Sequence, residues 1–147
     1  MTVRFERTPI RWGLLPLIVL GGAIGALARG LLTLPFDPPD ASVSGLVMLL
    51  SVNTLGSALL GLVNGAVGDR VRLRAFLGTG MLGGFTSYSA LAPLLGVWPL
   101  RAAGDSPGAA AFTGLIGLIV VIALPFAAAL AGVLLGRRIS RERGGRE

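Results

Sequence analysis

The residues best suited to chemistry in this sequence are small and polar, and they lie where the chain is otherwise apolar. Asn53 interrupts one hydrophobic run, and residues 83–89 read GGFTSYS inside another. A carboxamide that loses water without gaining a partner costs on the order of several kcal/mol. Asn53 therefore either makes a hydrogen bond between helices or presents a donor to a polar pathway.

The GGFTSYS segment predicts a helix that is broken at mid-membrane depth. Gly83 and Gly84 each weaken a helix by about 1 kcal/mol relative to alanine. The hydroxyls of Thr86, Ser87 and Ser89 can bond the carbonyls that such a break releases. Non-helical backbone at that depth must be buried in protein or line a cavity, and its carbonyls can coordinate a cation. A kink packed against a neighbouring helix is the alternative.

The rest of the sequence indicates how these residues are positioned. The chain is 53% hydrophobic and only 14% charged, with a mean hydropathy of +0.80. A membrane-spanning helix needs about 20 mainly apolar residues. Four stretches meet this length and together hold one ionisable acid or base, Arg29: residues 12–32, 43–67, 75–98 and 107–136. We predict a single all-α integral membrane domain of four transmembrane helices, with the third helix broken.

The distribution of charge predicts the orientation in the membrane. All 13 basic residues are arginines, and 11 of them lie in the N-terminal segment, the loop after the second span and the tail 137–147. Basic residues in short loops stay on the cytoplasmic side, so we expect a multi-pass plasma membrane protein with both termini in the cytoplasm. The net charge of +6 reflects these flanks and the basic tail, and we expect no nucleic-acid partner. A secretory signal ending near Ala26–Ala28 is the alternative for the first span.

Small residues recur at four-residue intervals in three of the spans. Residues so spaced share a helix face, and small side chains there let backbones approach closely in lipid. Arg29 extends one repeat, and it either snorkels outward or adds positive potential beside a buried junction. The repeats are Gly21–Gly25–Arg29, Asn53–Ser57–Gly61–Gly65 and Ala128–Gly132–Gly136.

Several classes of function are disfavoured by what the sequence lacks. It has no cysteine and no histidine, which removes thiolate chemistry and the commonest general base. No acid lies within a predicted span, so a small multidrug/proton antiporter, which couples protons through a membrane carboxylate, is a weak alternative. An enzyme is not expected. A non-transporting membrane scaffold remains open.

Three stretches resemble the CrcB/Fluc family of fluoride channels. GGAIGALAR at 21–29, VNTLGS at 52–57 and GMLGGFTSYS at 80–89 are similar to the family patterns GGxxGAxxR, VNxxGS and GxxGGxTTFS. The resemblance implies an antiparallel dual-topology dimer that exports cytoplasmic fluoride passively. It also implies a structural Na⁺ at the dimer interface.

The resemblance assigns roles by position. Asn53 corresponds to a pore asparagine whose amide donates to fluoride, and Tyr88 and Leu91 fall at the positions of two pore phenylalanines. It also implies that the Na⁺ ligands are the backbone carbonyls of Gly83 and Thr86. With the chemistry of the residue types added, we expect an ion pathway of Asn53, Phe85, Tyr88 and Ser89, and the Thr86 hydroxyl is a further donor of suitable type. We expect structural or electrostatic roles for Gly25, Arg29 and Ser57.

This chain departs from the family pattern in ways that bear on its partner. Tyr88 replaces one phenylalanine, Leu91 replaces the other, and Leu49 stands where threonine is frequent. At least one pore is therefore expected to be degraded. The strong arginine asymmetry also fixes one orientation, whereas a dual-topology homodimer needs both. We expect this chain to pair with a paralogous subunit of opposite orientation, leaving one competent pore.

Overall fold

The computed structural model describes residues 11–36, 43–68, 70–87, 96, 99–100 and 106–144, and the regular structure of these residues is helical. Helix α1 spans Leu15–Thr33 between short 3₁₀ turns at Trp12–Leu14 and Leu34–Phe36. Helix α2 spans Val43–Ala66. Helix α3 joins three consecutive segments, Val71–Leu73, Arg74–Leu82 and Gly83–Phe85. Helix α4 spans Pro107–Gly144.

Three helices are long and apolar enough to cross a membrane, namely Trp12–Thr33, Ser44–Ala66 and Pro107–Glu142. Only 11, 22 and 17% of their most apolar windows are buried within the chain. Side chains such as Val19, Leu27 and Phe126 are 65–71% exposed. An apolar surface of this extent requires lipid or a partner, so the predicted all-helical membrane architecture is confirmed.

The third predicted span, 75–98, is only partly described. Its helical backbone runs through Phe85, and residues 88–95 lie outside the described part. The count of four spans and the antiparallel dimer therefore stay predictions.

Helices α1 and α3 run parallel with their backbones in contact. A Cβ added to Gly80 would lie 3.1 Å from the Cα of Gly21, and one added to Gly84 would lie 2.9 Å from the Cα of Gly22. Further along, a Cβ on Gly25 would lie 2.9 Å from the amide nitrogen of Phe85. This pairing brings the first glycine stretch of the sequence directly against the third.

Helices α2 and α4 form a second parallel pair with equally close backbones. A Cβ on Gly61 would lie 3.0 Å from the amide nitrogen of Val133, and one on Gly136 would lie 2.8 Å from that of Ala66. The ends of α2 and α4 therefore lie at the same end of the bundle. Without a side chain between them, the two helices gain backbone-to-backbone dispersion contacts that lipid cannot match.

Helix α4 is longer than the predicted span. It continues past Gly136 to Gly144, because arginine is a good helix former once the chain leaves the apolar region. Pro125 lies inside the helix with its side chain fully buried. Helix-breaking residues are tolerated at such positions when neighbouring helices surround them.

Replacement of Gly132 by alanine should destabilise the bundle. The new Cβ would lie 2.9 Å from the amide nitrogen of Leu62, and overpacking of this kind costs about 1–3 kcal/mol. Gly30→Ala is the matched control, because nothing lies within 4 Å of its Cβ position in α1. Thermal melting in detergent should show a lower Tm for Gly132→Ala only. Equal Tm values for the two variants would contradict the close α2–α4 packing.

Candidate ion pathway at the end of helix α3

Helix α3 has an unusual backbone before it ends. Residues Arg74–Leu82 are π-helical, and the N–H of Gly83 bonds to the carbonyls of Gly78 and Gly80. Extended π-helical turns are rare and frequently accompany functional sites. The sequence analysis did not predict this conformation, although the four glycines within residues 78–84 were a signal that the α-helical pattern is weakened there.

The helical backbone ends at Phe85, and Thr86 is extended, with φ −85° and ψ 141°. Its amide and its hydroxyl each donate to the carbonyl of Leu82, both at 3.1 Å, and the hydroxyl also lies 3.5 Å from the carbonyl oxygen of Gly83. The threonine thus bonds carbonyls of the last turn, as its side chain was predicted to do.

The side chain of Asn53 holds the chain that follows this helix end. Its Nδ2 donates to the carbonyl of Ser87 at 3.1 Å, and the amide of Ser87 donates to its Oδ1 at 2.7 Å. Asn53 is only 1% exposed and lies in the middle of α2. This pair of bonds gives the carboxamide a fixed orientation. It occupies one of the two N–H donors that an asparagine amide carries.

A glycine on α2 makes room for the residues at the helix end. A Cβ on Gly56 would lie 3.0 Å from Cδ1 of Phe85 and would also clash with Cγ2 of Thr86. Gly56 is one turn from Asn53, on the side of α2 that faces α3. The stretches 21–29 and 52–57 therefore meet the described part of the third stretch, residues 80–87, at one place in the fold.

Arg29 lies on the same side of α1 as Gly25, one turn further along. Because Gly25 faces Phe85, Arg29 is near the level at which α3 ends. Its Nε is buried and has no hydrogen-bond partner among the described residues, and the same holds for Oγ1 of Thr54. A guanidinium so placed supplies positive potential next to the helix end.

The structure thus brings together part of the predicted site. Asn53 bonds Ser87, and Gly56, one turn away on the same helix, lies against Phe85 and Thr86. Ser57 is half-buried one turn from Asn53, whereas Gly83 is exposed. Tyr88 and Ser89 lie outside the described residues, as does Leu91. A small apolar cavity of about 230 Å³ adjoins the helix end and is lined by Ile24, Gly25, Ala28, Leu59, Met81, Leu82 and Phe85.

Backbone oxygens are the cation ligands that this region offers. No group of three or more His, Cys, Asp or Glu side chains that could hold a metal occurs in the described part of the chain. The carbonyls of the last turn of α3 lack onward helical N–H partners because the helix ends there, and the helix dipole favours a cation at this end. The backbone carbonyl oxygens of Gly83 and Thr86 are therefore suitable ligands for a hard cation.

Apolar helices that bury a polar helix end between α1 and α2 define a multi-pass helical membrane protein with a candidate ion site. The model of the family described as "CrcB-like protein, Camphor Resistance (CrcB)" matches residues 16–136, and the chain belongs to this family.

Curated relatives match over most of their own length. The "Fluoride-specific ion channel FluC 2" of Corynebacterium jeikeium is 38% identical over 141 residues, which cover 84% of this chain and 79% of that protein. The "Fluoride-specific ion channel FluC" of Deinococcus radiodurans is 36% identical over 125 residues, which cover 83% and 94%. A "FluC 2" from Leifsonia xyli is 36% identical over 135 residues. No solved structure matches significantly.

Replacement of Asn53 by alanine should destabilise the protein more than removal of an ordinary helix hydroxyl. The change leaves a part-buried backbone donor and acceptor of Ser87 without the carboxamide, and a fully buried group left in this way costs about 1–3 kcal/mol. Ser51→Ala is the control on the same helix, because the Ser51 hydroxyl bonds only to the carbonyl of Val47 within α2. Thermal melting in detergent distinguishes the two, and similar Tm values would show that the Asn53–Ser87 pair contributes little.

Proposed function

We propose that this chain is a subunit of a fluoride channel that exports cytoplasmic fluoride passively. The observation that carries the proposal is the paired hydrogen bond between Asn53 and the Ser87 backbone, which joins two of the three family-like stretches. Family membership and the relatives named as fluoride-specific channels support it. They also favour a channel over an enzyme.

The residues proposed for the pathway are of the types that a small, strongly hydrated anion requires. A pore for fluoride must replace water with hydrogen-bond donors and positive edges of aromatic rings. The second N–H of Asn53, the Ser89 hydroxyl and the rings of Phe85 and Tyr88 are our candidates. Arg29 adds positive potential near them. HF that enters the cell dissociates at neutral pH. The fluoride ion then stays inside unless such a path lets it out.

A non-transporting membrane scaffold would have no need of a helix that ends against Asn53. A proton-coupled antiporter needs a carboxylate within the membrane, and in the described part of the chain the only acidic residue is Glu142, near the end of α4. The channel proposal needs no proton coupling.

We also propose a structural Na⁺ held by the carbonyls of Gly83 and Thr86 at the interface with a second subunit. Gly83 is exposed, and the one atom within 4 Å of its Cβ position outside its own helical turn is the carbonyl oxygen of Gly78, at 3.8 Å, among the described residues. The carbonyl end of α3 therefore has room for a partner. When bound, the ion would supply a fixed positive charge beside the pathway.

Replacement of Na⁺ by N-methyl-D-glucamine throughout the preparation should lower fluoride efflux from liposomes. The organic cation cannot be enclosed by backbone carbonyls, so the interface would lose its central charge. Re-addition of Na⁺ should restore efflux and raise the Tm of the assembled protein. Unchanged efflux and Tm without Na⁺ would rule out the cation site and leave the channel proposal standing.

The second subunit is proposed to be a paralogue inserted in the opposite orientation. Support comes from the arginine asymmetry of the sequence and from the large apolar surface that this chain leaves uncovered. The subunit pair would contain one competent pore, because in this chain Tyr88 and Leu91 stand at the two positions where the family has pore phenylalanines.

Fluoride efflux should therefore appear when this chain is reconstituted with its paralogue and not when it is reconstituted alone. A fluoride electrode outside the liposomes measures fluoride release. Chloride-loaded liposomes followed with a chloride electrode are the selectivity control. Efflux from the single chain would overturn the heterodimer but support the channel. No efflux in either preparation would favour the scaffold.

A further inference from the structure

A basic cleft lies at the end of the bundle where α1 and α3 begin, away from the proposed pathway. It has a volume of about 560 Å³, and the described residues that line it are Arg11, Gly13, Leu14, Arg70, Val71, Arg72 and Leu73. Residues from before the first span and from after the second meet here. The cleft therefore depends on the tertiary packing of α1 against α3.

Its three arginines have no anionic partner within the described part of the chain. Among the described residues, Arg11, Arg70 and Arg72 make no ion pair and no side-chain hydrogen bond, whereas the nearby Arg74 donates to the carbonyl of Gly68. Three guanidinium groups around one cleft repel one another unless an anion lies between them. Guanidinium forks match the oxygen geometry of phosphate.

The backbone at the same cleft adds further donors. Arg11 and Arg70 are the N-cap residues of the Trp12–Leu14 turn and of α3, and neither makes a side-chain cap hydrogen bond. The N–H groups of the first turn of a helix have no helical acceptor, and Val71 and Arg72 of this turn are among the lining residues. The start of α3 thus adds the positive end of its dipole beside the arginine cleft.

The position of the cleft relates it to the membrane surface. It adjoins Trp12, which is 68% exposed at the start of an apolar helix, and tryptophan at that position is typical of the headgroup layer. Leu14, Val71 and Leu73 give the cleft an apolar side beside its charged one. An amphiphilic phosphate ester satisfies both sides, whereas a free ion uses only the arginines.

We propose that this cleft binds a phosphate-type anion, supplied by the phosphodiester headgroup of an anionic phospholipid. Binding would neutralise the arginines and tie the beginnings of α1 and α3 together at one membrane surface. The site is separate from the proposed fluoride pathway and does not depend on it.

The test measures Tm of the full chain in a neutral detergent, together with its partner subunit where one is needed. Phosphatidylglycerol, phosphatidylcholine and inorganic phosphate are titrated separately. Phosphatidylglycerol should raise Tm in a saturable way, and Arg70→Gln with Arg72→Gln should weaken its apparent affinity about 30-fold, as expected for the loss of two basic residues near a membrane surface.

Two further variants make the result specific. Arg138→Gln with Arg141→Gln removes the same charge from exposed positions of α4 and should leave the phosphatidylglycerol response unchanged. Arg70→Lys with Arg72→Lys keeps the charge and should give an intermediate affinity, because lysine lacks the guanidinium fork. The lipid-free Tm of every variant should match that of the wild type, since these side chains are exposed.

The outcomes separate the sources of the anion. A response to inorganic phosphate that depends on Arg70 and Arg72 would support the anion site and assign it to free phosphate. An equal response to phosphatidylcholine would overturn the proposal. Equal losses in the cleft and α4 double variants would also overturn it, because the attraction would then be a general effect of charge.

Discussion

The structure depends on the satisfaction of backbone groups where α3 ends inside an apolar bundle. No water is available in the hydrocarbon region, so a helix end there needs protein partners. The Asn53 carboxamide bonds both the N–H and the C=O of Ser87, and the Thr86 hydroxyl bonds a carbonyl of the last turn. A non-helical segment can then persist where the proposed pathway and cation site would use exposed carbonyls.

This arrangement is possible only because neighbouring helices come unusually close. Glycines place the α1 and α3 backbones in contact, and Gly56 leaves space for Phe85 and Thr86 beside α2. The α2–α4 pair uses the same device further from the site. Larger side chains at these contacts would move α2 away from α3, and Asn53 would no longer reach Ser87. The small-residue repeats therefore have a role in positioning the site as well as in packing.

Charge separates the two ends of the bundle. Arginines concentrate at the end where α1 and α3 begin and α2 and α4 end, whereas Arg29 is the only basic residue inside the four apolar stretches of the sequence, 12–32, 43–67, 75–98 and 107–136. The first group predicts the orientation in the membrane, and three of its members line the cleft that we propose to bind lipid phosphate. Arg29 instead places a buried nitrogen near the helix end. The same residue type thus has two uses, which differ because one environment is solvated and the other is not.

The sequence alone determined the membrane location, the helical class and the three polar or glycine-rich stretches, because these follow from hydropathy and from four-residue spacing along single helices. It left open whether Asn53 bonds another helix, and it did not predict the π-helical backbone before Gly83. The meeting of Arg11 with Arg70 and Arg72 was also unforeseen. Each of these depends on contacts between residues far apart in the chain, and such contacts are set by helix pairing. Spacing along a single helix carries no information about them.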